Sequence, residues 1–364
     1  MYLRQARQAV WYFGLGLFAW SMAVPAPVRG ADCVMAKGIE GPGTPFVRHL
    51  GPDCPERDRE AQAVAAADLL AAIRDGRDLD LEGVAVTGDL AFEALPEVPI
   101  TQVPPLPAAL QEVIKGRGVQ TARVIKGAMT ITRALVHGAI KTNLRSGLLV
   151  ALKPLDFSGT RFEQTVDWSQ GAFLGPVEFS GAVFLREAFF LNGIFTQKAA
   201  FDQAAFGIHS RFHHAQFLGP ASFVRAGFSG LAEFLEVGFA ADASFARTYF
   251  KQGTGFSGSR FSGMLDFSEA LFEQDAFFTF TVFEQDAYFR RATFRRMADF
   301  SDADFRRLGD FSKVLFEQAP VMTRTKLAQS QAGAGGLDDP RTLYVIAALL
   351  AVFTIAVLVF LRRG

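Results

Sequence analysis

Phe272-Glu-Gln-Asp-Ala-Phe-Phe278 and Phe283-Glu-Gln-Asp-Ala-Tyr-Phe289 are near copies of each other, set eleven residues apart. The aromatic residues that bound them belong to a longer series. From Phe157 to Phe316, thirty positions follow one another at intervals of five and six residues in strict alternation. Twenty-nine of them are Phe and the other is Trp168. An ordinary interior mixes Leu, Ile, Val and Phe to fill irregular space, so one dominant aromatic implies one packing environment repeated many times. The whole chain of 364 residues holds 38 Phe against 5 Tyr and 3 Trp.

An eleven-residue period also describes a right-handed coiled coil. The residues two before each aromatic exclude it. They are small or modest: Thr160, Val166, Gly171, Val177, Ala182, Ala188, Gly193, Ala199. Positions i−2 and i on one side, with polar residues between, is the period of a strand. A helix turns about 200° over two residues and buries neither consistently. Glycine recurs throughout the segment (Gly171, Gly175, Gly181, Gly193, Gly207), which long helices avoid.

A strand of this length must turn after five or six residues. Four such sides return the chain to its start after 22 residues, one coil further along an axis, at the ~4.8 Å strand spacing. Phenylalanines 22 apart (157, 179, 201, 223, 245, 267, 289, 311) then stack as one ladder, and three more ladders line the other sides. The units Ala199-Ala-Phe201-Asp-Gln-Ala204-Ala-Phe206 and Ala298-Asp-Phe300-Ser-Asp-Ala303-Asp-Phe305 resemble the pentapeptide-repeat family in its A-x-F-x-x-A-x-F variant. The resemblance implies an all-β fold, the right-handed quadrilateral β-helix, and implies no common active site.

The same phase extends upstream with aliphatic residues. Val113-Ile-Lys-Gly116, Val124-Ile-Lys-Gly127 and Leu135-Val-His-Gly138 are each eleven apart, and Leu135 to Phe157 spans one coil of 22. Leu79/Leu81, Val84/Val86 and Leu90/Phe92 repeat the i−2/i pairing, so the solenoid is expected over 77–318. A Pro-rich insertion, 93–110, reads as an excursion loop. Glu56–Asp75 reads as one capping helix, apolar at Val64, Ala67, Leu70 and Ile73 and ended by Gly76, within an N-terminal segment 32–76. No comparable cap follows Phe316, although Pro320, Val321, Met322 and Leu327 are candidates; the open end suits end-to-end pairing with a second copy.

Both termini are apolar. Arg4 and Arg7 precede a run from Val10 to Val24, then Pro25, Pro27 and small residues at Gly30–Ala31, the layout of a signal peptide over 1–31. An uncleaved anchor fits less well, because Gly14, Gly16 and Ser21 interrupt the run. Asp32 before Cys33 argues against a lipid anchor there. Leu343–Leu361 is uncharged and long enough to cross the bilayer within a transmembrane segment 342–361, after a linker 319–341. Arg362 and Arg363 in the tail 362–364 favour a cytoplasmic C-terminus. These features together predict a single-pass membrane protein whose N-terminal domain lies outside the cytoplasm. In that oxidising setting Cys33 and Cys54, the only cysteines, are expected to pair.

Lys plus Arg and Asp plus Glu both number 37, so no global charge points to nucleic acid. Of the histidines His49, His137, His209, His213 and His214, the last three cluster. A metal would need Asp202 or Glu236 beside them, and solvated surface histidines are the plainer reading. Repeat-spaced carboxylates such as Glu163, Glu178, Glu273, Glu284 and Glu317 form ladders on flat outer faces rather than a desolvated pair. No cofactor loop, nucleophile elbow or zinc-spaced set is present, which argues against an enzyme.

Arg290, Arg291, Arg295, Arg296, Arg306, Arg307 and Lys313 crowd the last coils. They read either as a membrane-proximal basic patch for lipid phosphates or an anionic envelope polymer, or as solubilising charge. The expected function is a non-catalytic, membrane-anchored scaffold that binds a protein or envelope component through flat faces. The alternative, implied by the resemblance, is a DNA-mimicking topoisomerase binder. That role needs a strongly acidic surface, whereas 155–318 carry 20 acidic and 15 basic residues.

Overall fold

The computed structural model describes residues 33–328, apart from 40, 42, 143, 145 and 146. The expected signal peptide, the expected membrane helix at Leu343–Leu361 and the tail lie outside the described residues. Within them the chain is a four-sided β-solenoid. Its faces hold twelve, eleven, nine and eleven strands. On the first face, Leu155–Asp156 pairs in parallel with Val177–Glu178, and that strand with Ala199–Ala200, in steps of 22. The second face begins its regular run at Arg161–Phe162, the third at Val166–Asp167 and the fourth at Gly171–Phe173.

The rings point inward and stack. Phe201 and Phe223 lie 4.7 Å apart with planes 6° off parallel, and Phe206 and Phe228 lie 4.5 Å apart at 3°. Across the axis, first-face and third-face rings meet edge to face, as Phe223 and Phe234 do at 88°. Offset stacking along each ladder and T-shaped contact across the axis satisfy the ring quadrupole in both directions. A second bulky layer does not fit, so the i−2 positions are small. Three of them carry hydroxyls that donate to the carbonyl of a ring residue one coil back: Thr248 to Phe223 at 2.7 Å, Ser259 to Phe234 at 2.6 Å, Thr281 to Phe256 at 2.9 Å.

The alternation of five and six records two kinds of corner, which the spacing alone did not reveal. The five-residue intervals hold a hydrogen-bonded turn, such as Thr160 N–H to Phe157 C=O at 3.1 Å and Ala215 N–H to Phe212 C=O at 3.0 Å, except that the Val237 N–H donates to Ser259 Oγ at 2.9 Å. The third residue of that turn is left-handed, at φ 64° in Gly159, 58° in Arg225 and 56° in Phe280. This recurs every eleven residues from Gly159 to Arg324, and only Gly159, Gly181 and Gly258 are glycine. The six-residue intervals turn without that bond.

Upstream of Phe157 the structure departs from the expected register. Leu155 pairs with Met129 and Arg161 with Leu135, so Phe157 sits below Ile131 and Phe162 below Val136. This coil takes 26 residues rather than 22, because the extra residues fall between Ile140 and Leu148. Neighbouring aliphatics (Met129/Ile131, Leu135/Val136) are all buried, so apolarity alone leaves the phase open by one or more positions.

The Pro-rich insertion is a layer, not a loop. The predicted Glu56–Asp75 helix is two helices, α1 (Glu56–Ala61) and α2 (Ala66–Arg74), separated by the strand Val64–Ala65, which pairs with Val86–Thr87 on the second face. Because α2 starts afresh at Ala66, the buried stripe is Ala66, Leu69, Ala72 and Ile73, with Ala67 exposed. It lies over Leu79, Leu81 and Leu90 and closes the first coil. Val113–Gly116, expected as a strand copy, belongs to α3 (Ala108–Gly116). Leu110 and Ile114, one turn apart, pack α3 onto outward Val150, Ala172 and Ile194 of the fourth face. Glu97–Pro99 adds an antiparallel strand to Thr121–Ile125. At the other end the candidates for a cap continue the solenoid: Val321 bridges to Asp299, and Lys326–Leu327 pairs with Asp304–Phe305.

Candidate functional site

With the axis filled, whatever this fold presents to a ligand lies on its outer columns. Outward residues 22 apart are direct neighbours, and opposite charges meet there. Arg247 reaches Glu269 at 2.9 Å, Arg295 reaches Glu273 at 2.9 Å, and Arg306 reaches Glu284 at 3.2 Å. Exposed to solvent and screened by salt, such pairs contribute little to stability. Two concavities of about 300 Å³ are shallow and open. One is lined by Met35, Phe46, Arg48 and Asp68 near the N-terminal cap, the other by Glu269, Arg290, Arg291 and Lys313.

The seven basic residues singled out from the sequence do not share one face. Arg290, Arg291 and Lys313 follow first-face strands, Arg295 and Arg296 follow the second-face strand Thr293–Phe294, and Arg306 and Arg307 follow the fourth-face strand Asp304–Phe305. Arg290 pairs with Asp310, and Arg291 approaches Glu269 at 3.6 Å. Consecutive charges in the chain fall on successive corners, which a one-dimensional count does not register. The Cys33 and Cys54 sulfurs are bonded, with Cα atoms 5.6 Å apart, and tie the segment before α1 to the cap.

The densest polar group is on the third face. His209 and Arg211 sit on the strand His209–Arg211, with Arg211 directly above Glu233 and His209 above Leu231 on Leu231–Glu233. Glu233 Oε2 lies 2.6 Å from His209 Nε2, 3.0 Å from Arg211 Nε and 3.4 Å from His213 Nε2. Burial works to raise the Glu233 carboxyl, but the His209 hydrogen bond and the charges of His213 and His209 hold it below the usual carboxylate value. Burial pulls His213 below the usual imidazole value, against the attraction of Glu233. His214 turns away to Glu236 at 3.4 Å, and Asp202 binds the Val224 N–H at 2.9 Å, far from the cluster. A metal reading therefore loses its expected ligands. The Arg211 guanidinium, 3.2 Å from His209 Nε2, also opposes a cation, and no metal-competent group of three ligands exists among the described residues.

Every histidine has a carboxylate neighbour, which sequence reasoning missed. His49 lies 2.9 Å from Asp80 and His137 2.9 Å from Glu163. Both contacts cross coils of irregular length, so no fixed spacing could have exposed them. Another such contact is Arg117, at the end of α3, whose guanidinium donates to the carbonyls of Asn192 at 2.6 Å and His214 at 3.0 Å. Burial lowers its pKa from the ordinary value. It buckles α3 to two corners of the stack.

The arrangement offers flat, columned walls with paired charge, and among the described residues nothing concentrates acid–base groups in a desolvated cleft. Residues 278–325 match the family described as pentapeptide repeats (9 copies). No curated protein and no solved structure matches the chain significantly. The matched stretch is the C-terminal part of an eleven-residue module that runs back unbroken to Phe157 and forms one continuous stack of rings. That match and that geometry make the ring coils similar to pentapeptide repeats, in a solenoid of the same kind.

Proposed function

We propose that the protein is a non-catalytic scaffold, tethered to a membrane by Leu343–Leu361, whose solenoid binds a protein or envelope component outside the cytoplasm. The observation that carries this reading is the filled interior. Ladders of rings leave recognition to rigid outer columns whose side chains are set at a fixed ~4.8 Å spacing. A rigid wall of this kind loses little entropy on binding, which favours recognition over chemistry. The Cys33–Cys54 bond and the export-type N-terminus support the extracytoplasmic placement.

The test is in-cell crosslinking from single photoreactive residues placed on each of the four faces, combined with mass spectrometry of the mature protein. The reading expects one face to capture a partner, an N-terminus near residue 32, and recovery in the membrane fraction. Recovery of a soluble, uncleaved chain with no crosslink from any face would overturn it. DNA mimicry is less well supported, because acidic residues on the outer columns meet arginine or lysine one coil away instead of forming an unbroken acidic stripe. The partly exposed last coil (Phe311, Phe316, Met322 and Leu327) is where an end-to-end homodimer would form, which light scattering of the purified protein would detect.

A further inference from the structure

One outward column of the third face runs Asp167, Phe189, Arg211, Glu233, Gly255, Phe277 and Asp299, each in register with the next. Its upper part is complete in itself. The Arg211 guanidinium lies 5.7 Å from the centre of the Phe189 ring and its Nε is 3.0 Å from Glu233. Aromatic face, guanidinium and carboxylate form a sandwich across three coils.

The lower part repeats two members of that sandwich and lacks the third. Phe277 and Asp299 are adjacent in the column, with glycine above them at Gly255. Asp299 accepts the Ser301 N–H at 2.8 Å, and Asp275, at the start of the Phe277 row, accepts the Met297 N–H at 3.2 Å. Among the described residues neither carboxylate has a cation within ion-pair distance. The coil 261–282 holds four carboxylates and no Lys or Arg. Beside them Phe280 is 64% exposed on left-handed backbone at φ 56°. The equivalent corners one coil to either side hold Gly258 and Asp302. A bulky aromatic is doubly disfavoured there, by strain and by exposure, and such outliers cluster at functional sites.

We propose that Phe277, Phe280, Asp275 and Asp299 form a docking site for an arginine side chain carried on an extended segment of a partner protein. The incoming guanidinium stacks on Phe277 and donates hydrogen bonds from its N–H groups to the Asp299 and Asp275 carboxylates. Phe280 covers its outer side. Arg211 shows the same recognition made within the chain. Arginine fits better than lysine, because a planar fork both stacks and bridges carboxylates, whereas an ammonium is a hydrated point charge. The negative charge excludes anionic lipid and nucleic acid from this face. The inference rests on the scaffold reading and names the partner chemistry of one face.

The test titrates the full chain, solubilised in a neutral detergent, against fluorescein-labelled hexa-arginine and hexa-lysine peptides, followed by anisotropy. The arginine peptide is expected to bind at least about fivefold more tightly, and Phe277→Ala and Asp299→Asn each to weaken it about tenfold. Phe280→Gly is expected to weaken binding while leaving the melting temperature unchanged or higher, which separates recognition from folding. Asp266→Asn is the control: Asp266 holds its own Ser268 N–H at 2.8 Å, as Asp299 holds Ser301, but it sits on the first face. Equal affinity for both peptides, or an Asp266→Asn effect as large as that of Asp299→Asn, would overturn the site. A partner crosslinked from another face alongside a null titration here would sink this inference and leave the scaffold standing.

Discussion

The coils built on phenylalanine and the coils built on aliphatics close the same four-sided path by different means. From Phe157 onward every coil takes 22 residues and each ring stacks on its twins along the ladder, with an outer covering only where α3 lies over Ala172 and Ile194. Between Leu79 and Ala151 the coils differ in length, one taking 26 residues, and accept the long 93–116 excursion. They are covered from outside by α2 at the open end and by α3 on the fourth face. A ring is large and flat and fits only its own ladder position, so it enforces the period. Leucine, isoleucine and valine pack in more than one register, so there the period relaxes and other elements supply the missing closure.

The largest expected effect sharpens this contrast. Phe223→Ala should cost about 3–5 kcal/mol, because it empties a site bounded by Phe201 and Phe245 in the ladder and Phe234 across the axis. In the aliphatic coils Ile131→Val should cost only about 0.5–1.5 kcal/mol. Denaturant unfolding of both variants decides the matter, and equal losses would mean that the ladders have no special role. Next, Leu110→Ala should cost roughly 2–5 kcal/mol at α3. Hydrogen exchange should speed up in α3 and its strand Glu97–Pro99 but stay slow from Phe201 to Phe305; uniform loosening would show that the excursion holds the whole stack together.

A smaller effect concerns the corners. Arg225→Gly removes a left-handed strain of about 1–2 kcal/mol and adds unfolded-chain entropy of about 0.5–1 kcal/mol, a net gain near 1 kcal/mol. Arg225→Ala keeps the strain and should gain nothing, and thermal melts of the two variants compare them directly. The smallest effect is pH dependence on the third face. Burial lowers His213 from its ordinary 6.5, so the unfolded chain binds that proton more readily. Stability from this group is therefore full above about 6.5 and is lost as pH falls from there through the lower folded value. Glu233 is also lowered, so its contribution is present above its ordinary 4.5 and is lost as pH falls through the lower folded value. His213→Gln should flatten the near-neutral part of the stability profile, read from melting temperature against pH; an unchanged profile would place the imidazole in water.

What could be read from the chain beforehand follows the same division. The Phe157–Phe316 spacing carried the four-sided path, the inward ladders and the small i−2 positions, because phenylalanine occurs almost nowhere else in that stretch. The register above Phe157 was read four residues out, since Leu135 and Val136 are both buried and either satisfies the pattern. Val113-Ile-Lys-Gly116 copies Val124-Ile-Lys-Gly127 in sequence yet folds as helix, because Leu110 and Ile114 find an apolar outer wall to cover. The candidate site was harder still. Arg211 and Glu233, or Phe277 and Asp299, become neighbours only through the 22-residue step, which leaves no trace in local sequence.

The parallel register has one more consequence, for how the molecule is made. Almost every contact in the ring coils joins residues about 22 apart, and among the described residues the lid is at the N-terminal end. A ribosome or translocon delivers that lidded end first. Each later coil then condenses on a finished template, adding four rings at a time, and the growing front is the only exposed row of unpaired amides. Maturation is directional, like closing a zip, and a lesion in an early coil should stall everything downstream, whereas the same lesion near Phe305 should spare what has already formed.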